Sequence, residues 1–136
     1  MPRARPPKVP PYIIDRLRLV CLDLPEAYEE AAWTGTRWMI HKRNFAHILM
    51  INEGWPPAYA RVAQSAGPLC VLTFRSARPA NEEPRFHRYP FFLPAWWPDI
   101  VGMSIDTGVD WEQVSELITD SYRALAPGKL VALLDD

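Results

Sequence analysis

The placement of proline limits what this chain can fold into more than any other feature. Fifteen of its 136 residues are proline, about twice the ordinary usage of about 5%, and each one fixes φ and removes a backbone donor. The prolines cut the chain into short pieces with legible ends. Six glycines accompany them, so the composition is not that of a flexible linker. Five of the prolines fall in residues 1–11 beside three basic residues and no apolar periodicity, which reads as a flexible, proline-rich basic arm. Within it Pro7-Lys-Val-Pro10 is a bare PxxP whose basic flanks miss the usual ligand positions. Residues 12–136 then read as a single domain, long enough for one core and too short for two.

Periodicity supplies the elements. Ile13, Ile14, Leu17, Val20, Cys21 and Leu24 recur at the spacing of an amphipathic helix, which Pro25 should end. Short aromatic and β-branched runs follow at 28–33, 37–42 and 45–51, separated by Thr34-Gly-Thr and by Arg43-Asn44. They read as an antiparallel meander with Arg43-Asn44 as a hairpin turn. Further strands are expected at 69–74 and 100–105, with one helical turn in 58–66, a short helix or turn within 75–88, and an apolar loop over 89–98. Asp110 followed by Gln113 resembles a capping box. After it, Trp111, Val114, Leu117, Ile118, Tyr122 and Leu125 form a second helical stripe, stopped by Pro127-Gly128. The fold class expected is α+β: a two-layer sandwich in which an antiparallel meander of four to five strands carries the N- and C-terminal helices on one face.

Hydrophobic residues at 49% and charged residues at 23% exclude general disorder and a disulfide scaffold. Cys21 and Cys70 lack the close pairing of zinc or redox motifs and read as small buried hydrophobes in a reducing compartment. No apolar h-region follows the basic start, and no window approaches the ~20 apolar residues of a membrane span, so the expected location is cytoplasmic, with no membrane partner. The net charge of −1 hides a gradient. Residues 1–50 carry eight Lys/Arg against five acids, residues 51–98 five against three, and residues 99–136 two against eight. A neutral total therefore leaves room for one basic surface.

An N-terminal helix, a hairpin ending in Lys42-Arg-Asn-Phe45-Ala46, a strand closing on Asp106 and a last helix containing Asp120-Ser121-Tyr122 resemble the MmcQ/YjbR family over about residues 12–130. The resemblance implies a compact fold related to the frataxin-like CyaY proteins, with a β-hairpin pair called a double wing, and a DNA-binding role inferred from that shape. The chain departs from the compact pattern at the Trp-Pro-Pro segment in 53–67 and at the proline-rich 89–98.

Phosphate recognition needs several cations on one surface. Lys42 and Arg43 at the hairpin, and Arg75, Arg78, Arg85 and Arg88 in the second loop, are the candidates, with His87 beside them and Phe86 and Tyr89 nearby for stacking on bases or for packing. The same residues also read as ordinary solvated turns. The expected partner is DNA. The alternative is a small-molecule or protein-binding module using the tryptophans of the two loops, Trp55, Trp96 and Trp97, unless these indoles fold over the open sheet face. Trp33, Trp38 and Trp111 are expected in the core.

No Gly-rich phosphate loop, Gly-x-Ser-x-Gly elbow or His-Glu-x-x-His is present, so the expected role is non-enzymatic, without cofactor or metal. His41 and His47 would face each other across the hairpin but lack a third ligand. Glu112, Glu116 and Asp120 share a helix face, as the wet side of any amphipathic helix does. The Ser121-Tyr122 pair reads as helix packing, with the phenol reaching a polar partner.

Overall fold

A computed structural model describes residues 8–134; residues 1–7 of the expected arm and residues 135–136 lie outside the described residues. Helix α1 (Pro11–Cys21) begins at a proline, where a missing N–H is no loss, and buries Ile13, Leu17 and Cys21 along one stripe. It stops three residues before Leu24. Strands β1 (Tyr28–Ala31), β2 (Thr36–Ile40) and β3 (Arg43–Ile51) form the meander. Helix α2 (Pro57–Ala63) precedes β4 (Leu69–Arg75), and two 3₁₀ turns (Ala80–Glu82 and Pro84–His87) lead to β5 (Phe91–Phe92) and β6 (Ile100–Ile105). Helices α3 (Trp111–Leu125) and α4 (Gly128–Leu134) complete the order. Pro127-Gly128 ends α3 as expected, and also starts α4, which buries Leu130. No helix of the described residues is long and apolar enough to cross a membrane.

All strand pairs are antiparallel, in the order β1-β2-β3-β4-β6-β5. The architecture is α+β. Its sheet has one strand more than the four to five expected, because Phe91 and Phe92, in the segment read as a loop, pair with Met103 and Gly102. Gly102 admits that edge strand. A Cβ there would stand 2.3 Å from the Phe92 ring.

Strand alternation sorts two cores. Ala46, Ile48, Leu72, Phe74, Val101 and Met103 join the buried stripes of α1 and α3, so both terminal helices cover one face. On the other face Leu49, Ile51 and Val71 pack under Tyr59 of α2. The expected two layers thus gain a partial third, built from the proline-rich 53–67 segment.

The hairpin register differs from expectation. His41 and Lys42, with φ of 47° and 65°, are the two central turn residues, and Ile40 pairs with Arg43. Two successive positive φ values suit the right-handed twist of the flanking strands. The turn therefore lies two residues ahead of Arg43-Asn44. His47 opposes Arg37 instead of His41, and the two-histidine arrangement does not form. Trp38 pairs with Ala46 and Met39 with Asn44, which leaves Phe45 as the extra residue of a bulge. Its ring turns into the helix-side core, 5.6 Å from that of Tyr122.

The bulge explains the Ser-Tyr pair. The β3–β4 ladder ends at Ala46 and Phe74, and the next backbone groups would be left unpaired in the interior. Ser121 of α3 takes them: its hydroxyl donates to the Phe45 carbonyl at 2.6 Å and accepts from the Arg75 N–H at 2.8 Å. The Tyr122 phenol donates to the Pro25 carbonyl at 2.7 Å. Together they fix α3 to β3, β4 and the turn after α1. A second clamp joins α1, β1 and β2, where Glu29 accepts from Arg18 Nε and from the indole N–H of the fully buried Trp38, both at 2.9 Å. The guanidinium of Arg18 holds the Glu29 carboxyl below its ordinary range.

Candidate functional site: an arginine cleft beside an aromatic cleft

The β3–β4 register, Ala46 against Phe74, puts the hairpin tip and the C-terminal end of β4 at the same end of the sheet. There Arg75, Arg78 and Arg85 line one cleft of about 250 Å³. A fourth guanidinium, Arg123 of α3, lines it with them. Glu83 and Asp120 also line it, so cations outnumber carboxylates by two. Arg75 pairs with Asp99 at 3.0 Å and Arg85 with Glu83 at 3.6 Å. Among the described residues Lys42, Arg43, Arg78 and Arg88 make no ion pair. Lys42 and Arg43 are exposed at the hairpin tip, at the same sheet end but outside the cleft lining. Arg88 is exposed beyond the second 3₁₀ turn and does not line the cleft.

Of the two aromatics open to stacking or packing, Phe86 packs and Tyr89 is held by a hydrogen bond. Phe86 is buried, edge-on to Phe74 and Phe91 at 6.1 and 5.1 Å, and the Arg85 guanidinium lies over its ring at 4.8 Å. Tyr89 is exposed, but its hydroxyl donates to Asp106 at 2.9 Å. His87 is tied to the Asn81 carbonyl at 2.7 Å.

On the opposite sheet face a smaller cleft of about 110 Å³ opens beside Arg75, which lines both. Trp96, Trp97 and Tyr59 wall it, and Asn44, His47 and Thr73 supply its polar groups. The Tyr59 and Trp96 rings meet edge-on at 4.8 Å. Trp97 is 62% exposed. Trp55 lies outside this lining; it packs edge-on against Trp33 at 5.8 Å. Trp33 itself, expected in the core, is 67% exposed, because it falls in the β1–β2 turn and lies over Trp55 and Tyr59. Trp38 is fully buried as expected, whereas Trp111 is half-buried with Arg16 over its ring at 5.6 Å.

His47 is buried beneath this cleft. Its Nε2–H donates to the Thr34 carbonyl at 2.7 Å, which leaves Nδ1 as acceptor toward the Tyr59 hydroxyl at 3.5 Å. Burial lowers its pKa, the Arg37 charge adds to the effect and the Thr34 bond opposes it. The imidazole is therefore neutral at physiological pH. Cys21 and Cys70 are buried free thiols; burial pushes both up, Cys70 to about 12, so neither is a nucleophile. Among the described residues no three His, Cys, Asp or Glu side chains gather as metal ligands.

Arg123, Asn44, Thr73 and Tyr59 were not among the residues expected from sequence. Alternation carried part of the signal: in β4, Thr73 and Arg75 interrupt an otherwise apolar run on the face opposite Leu72 and Phe74. Arg123 had no comparable signal, since only the docking of α3 brings it beside the second loop.

The YjbR family model matches residues 22–124, most of the chain. The chain belongs to the YjbR family. No curated protein matches it. The YjbR match takes in the bulged hairpin, the Ser121-Tyr122 clamp and every residue lining the two clefts; it leaves out α1 and α4.

Proposed function

We propose that this YjbR-family protein binds nucleic acid, DNA in the first instance, through the basic end of its sheet, and that it does so without catalysing a reaction. The observation that carries this reading is the meeting of Arg75, Arg78 and Arg85 with Arg123 around one cleft. Lys42 and Arg43 at the same sheet end bring the cations to six, a number of phosphate contacts that supports useful affinity. Guanidinium groups suit phosphate because their planar donors engage two oxygens at once. The carboxylates of Glu83, Asp99 and Asp120 reduce the local charge, so binding is expected to be moderate and strongly salt-dependent. A non-catalytic role is supported by the state of the nucleophile candidates: both thiols are buried and protonated, and the buried imidazole is engaged by Thr34.

Fluorescence anisotropy with labelled DNA over a salt series tests the reading. If about four of these six cations engage phosphate, log K should fall against log[salt] with a slope of about −3.6 on duplex and about −2.8 on a single strand. Arg78→Ala should reduce that slope by about one. Absence of binding at low salt, or a salt-independent signal, would sink it.

A further inference from the structure

The aromatic and arginine clefts lie on opposite faces of the sheet and meet at the end of β4, where Phe74 and Arg75 line both. Resting on the nucleic-acid reading, we infer that the Trp96–Trp97–Tyr59 cleft receives one unpaired pyrimidine base, so that the ligand is a single strand whose phosphates run into the arginine cleft. Size, wall chemistry and floor chemistry each bear on this.

A cavity of about 150 Å³ holds benzene. A half-open cleft of about 110 Å³ therefore seats one six-membered ring with an edge in solvent, and a fused purine would leave more of its surface outside than a pyrimidine. The walls are aromatic, and base–aromatic stacking is the usual source of single-strand affinity. The edge contact from Tyr59 holds the Trp96 ring in place, while Trp97 stays exposed. The floor is polar. Among the described residues the Asn44 amide and the Thr73 hydroxyl make no hydrogen bond to another protein group, and neither is buried away from solvent. Both groups donate and accept, which matches the mixed edge of a pyrimidine. A base inside a duplex has its Watson–Crick edge paired and its faces stacked, and enters such a cleft only if it leaves the stack, so the cleft favours an unpaired base.

The test compares labelled oligothymidylate, oligoadenylate and a duplex by anisotropy at low salt, with the wild-type chain and with Trp97→Ala and Thr73→Val. Trp97 is exposed, so its variant should keep the wild-type melting midpoint; Thr73→Val removes the hydroxyl while keeping the branched shape. Oligothymidylate should bind about tenfold tighter than oligoadenylate or duplex. Trp97→Ala should weaken oligothymidylate about tenfold or more, and leave both duplex binding and the salt slope unchanged. Thr73→Val should weaken it severalfold. If oligothymidylate and duplex bind equally and Trp97→Ala changes neither, the base cleft is refuted while the phosphate surface stands. If thymidine monophosphate displaces the strand at comparable concentrations, the cleft belongs to free nucleotides and the inference fails. If nothing binds at low salt, it falls together with the function on which it rests.

Discussion

His47 shows how one side chain ties the site to the stability of the fold. Its imidazole is buried on the sheet face away from the terminal helices, held through Nε2–H on Thr34, and burial lowers its pKa below the ordinary value of 6.5. A group that protonates more readily when unfolded draws the equilibrium toward the unfolded chain as pH falls. The stability it contributes is complete above about pH 6.5 and is lost as pH drops through the lowered native pKa. Urea midpoints should therefore fall between about pH 7 and pH 5, by no more than ~1.4 kcal/mol per pH unit from this group. His47→Gln should flatten that slope; an unchanged slope would show that another group sets it. The sequence marked His47 as a strand histidine but paired it with His41. A hairpin turn at His41-Lys42, without the usual Asn-Gly signal, moved His47 opposite Arg37.

At the scale of elements, the fold depends on how α3 meets a bulged strand. The bulge at Phe45 would strand a carbonyl and an N–H at the end of the β3–β4 ladder, and Ser121 satisfies both. Ser121→Ala should cost about 1–3 kcal/mol for each backbone group left unpaired, measured as a loss in the urea midpoint without a change in slope. The same variant should weaken DNA binding, since Arg75 N–H is one of Ser121's two partners and its side chain lines both clefts. A stability loss well below about 1 kcal/mol would mean that water replaces the hydroxyl at no penalty. The stripes of α1 and α3 and the strands β4 and β6 were legible in the sequence because apolar period and proline boundaries agree there. Phe91–Phe92 was not, since two residues carry no period, and the space for them comes from Gly102 on a neighbouring strand.

For the whole molecule, the question is where charge and aromatic surface come together. A ligand that binds only the native state raises its apparent stability by mass action. The melting midpoint should accordingly rise with added single-stranded DNA at low salt, and the rise should vanish as salt screens the phosphates. A midpoint indifferent to DNA at every salt concentration would count against the basic surface. The class of fold, the two helix stripes, the buried thiols and the list of loop arginines are local properties, set by period, turn chemistry and residue type. Which arginines meet depends on long-range packing. Arg75, Arg78 and Arg85 join Arg123 across gaps of 38 to 48 residues, whereas Arg88 stays apart, and the docking of α3 through Ser121 and Tyr122 sets that arrangement. The same holds for the tryptophans, since the packing of α2 over the second sheet face, and not any local pattern, put Trp96 and Trp97 beside Thr73 and left Trp55 against Trp33.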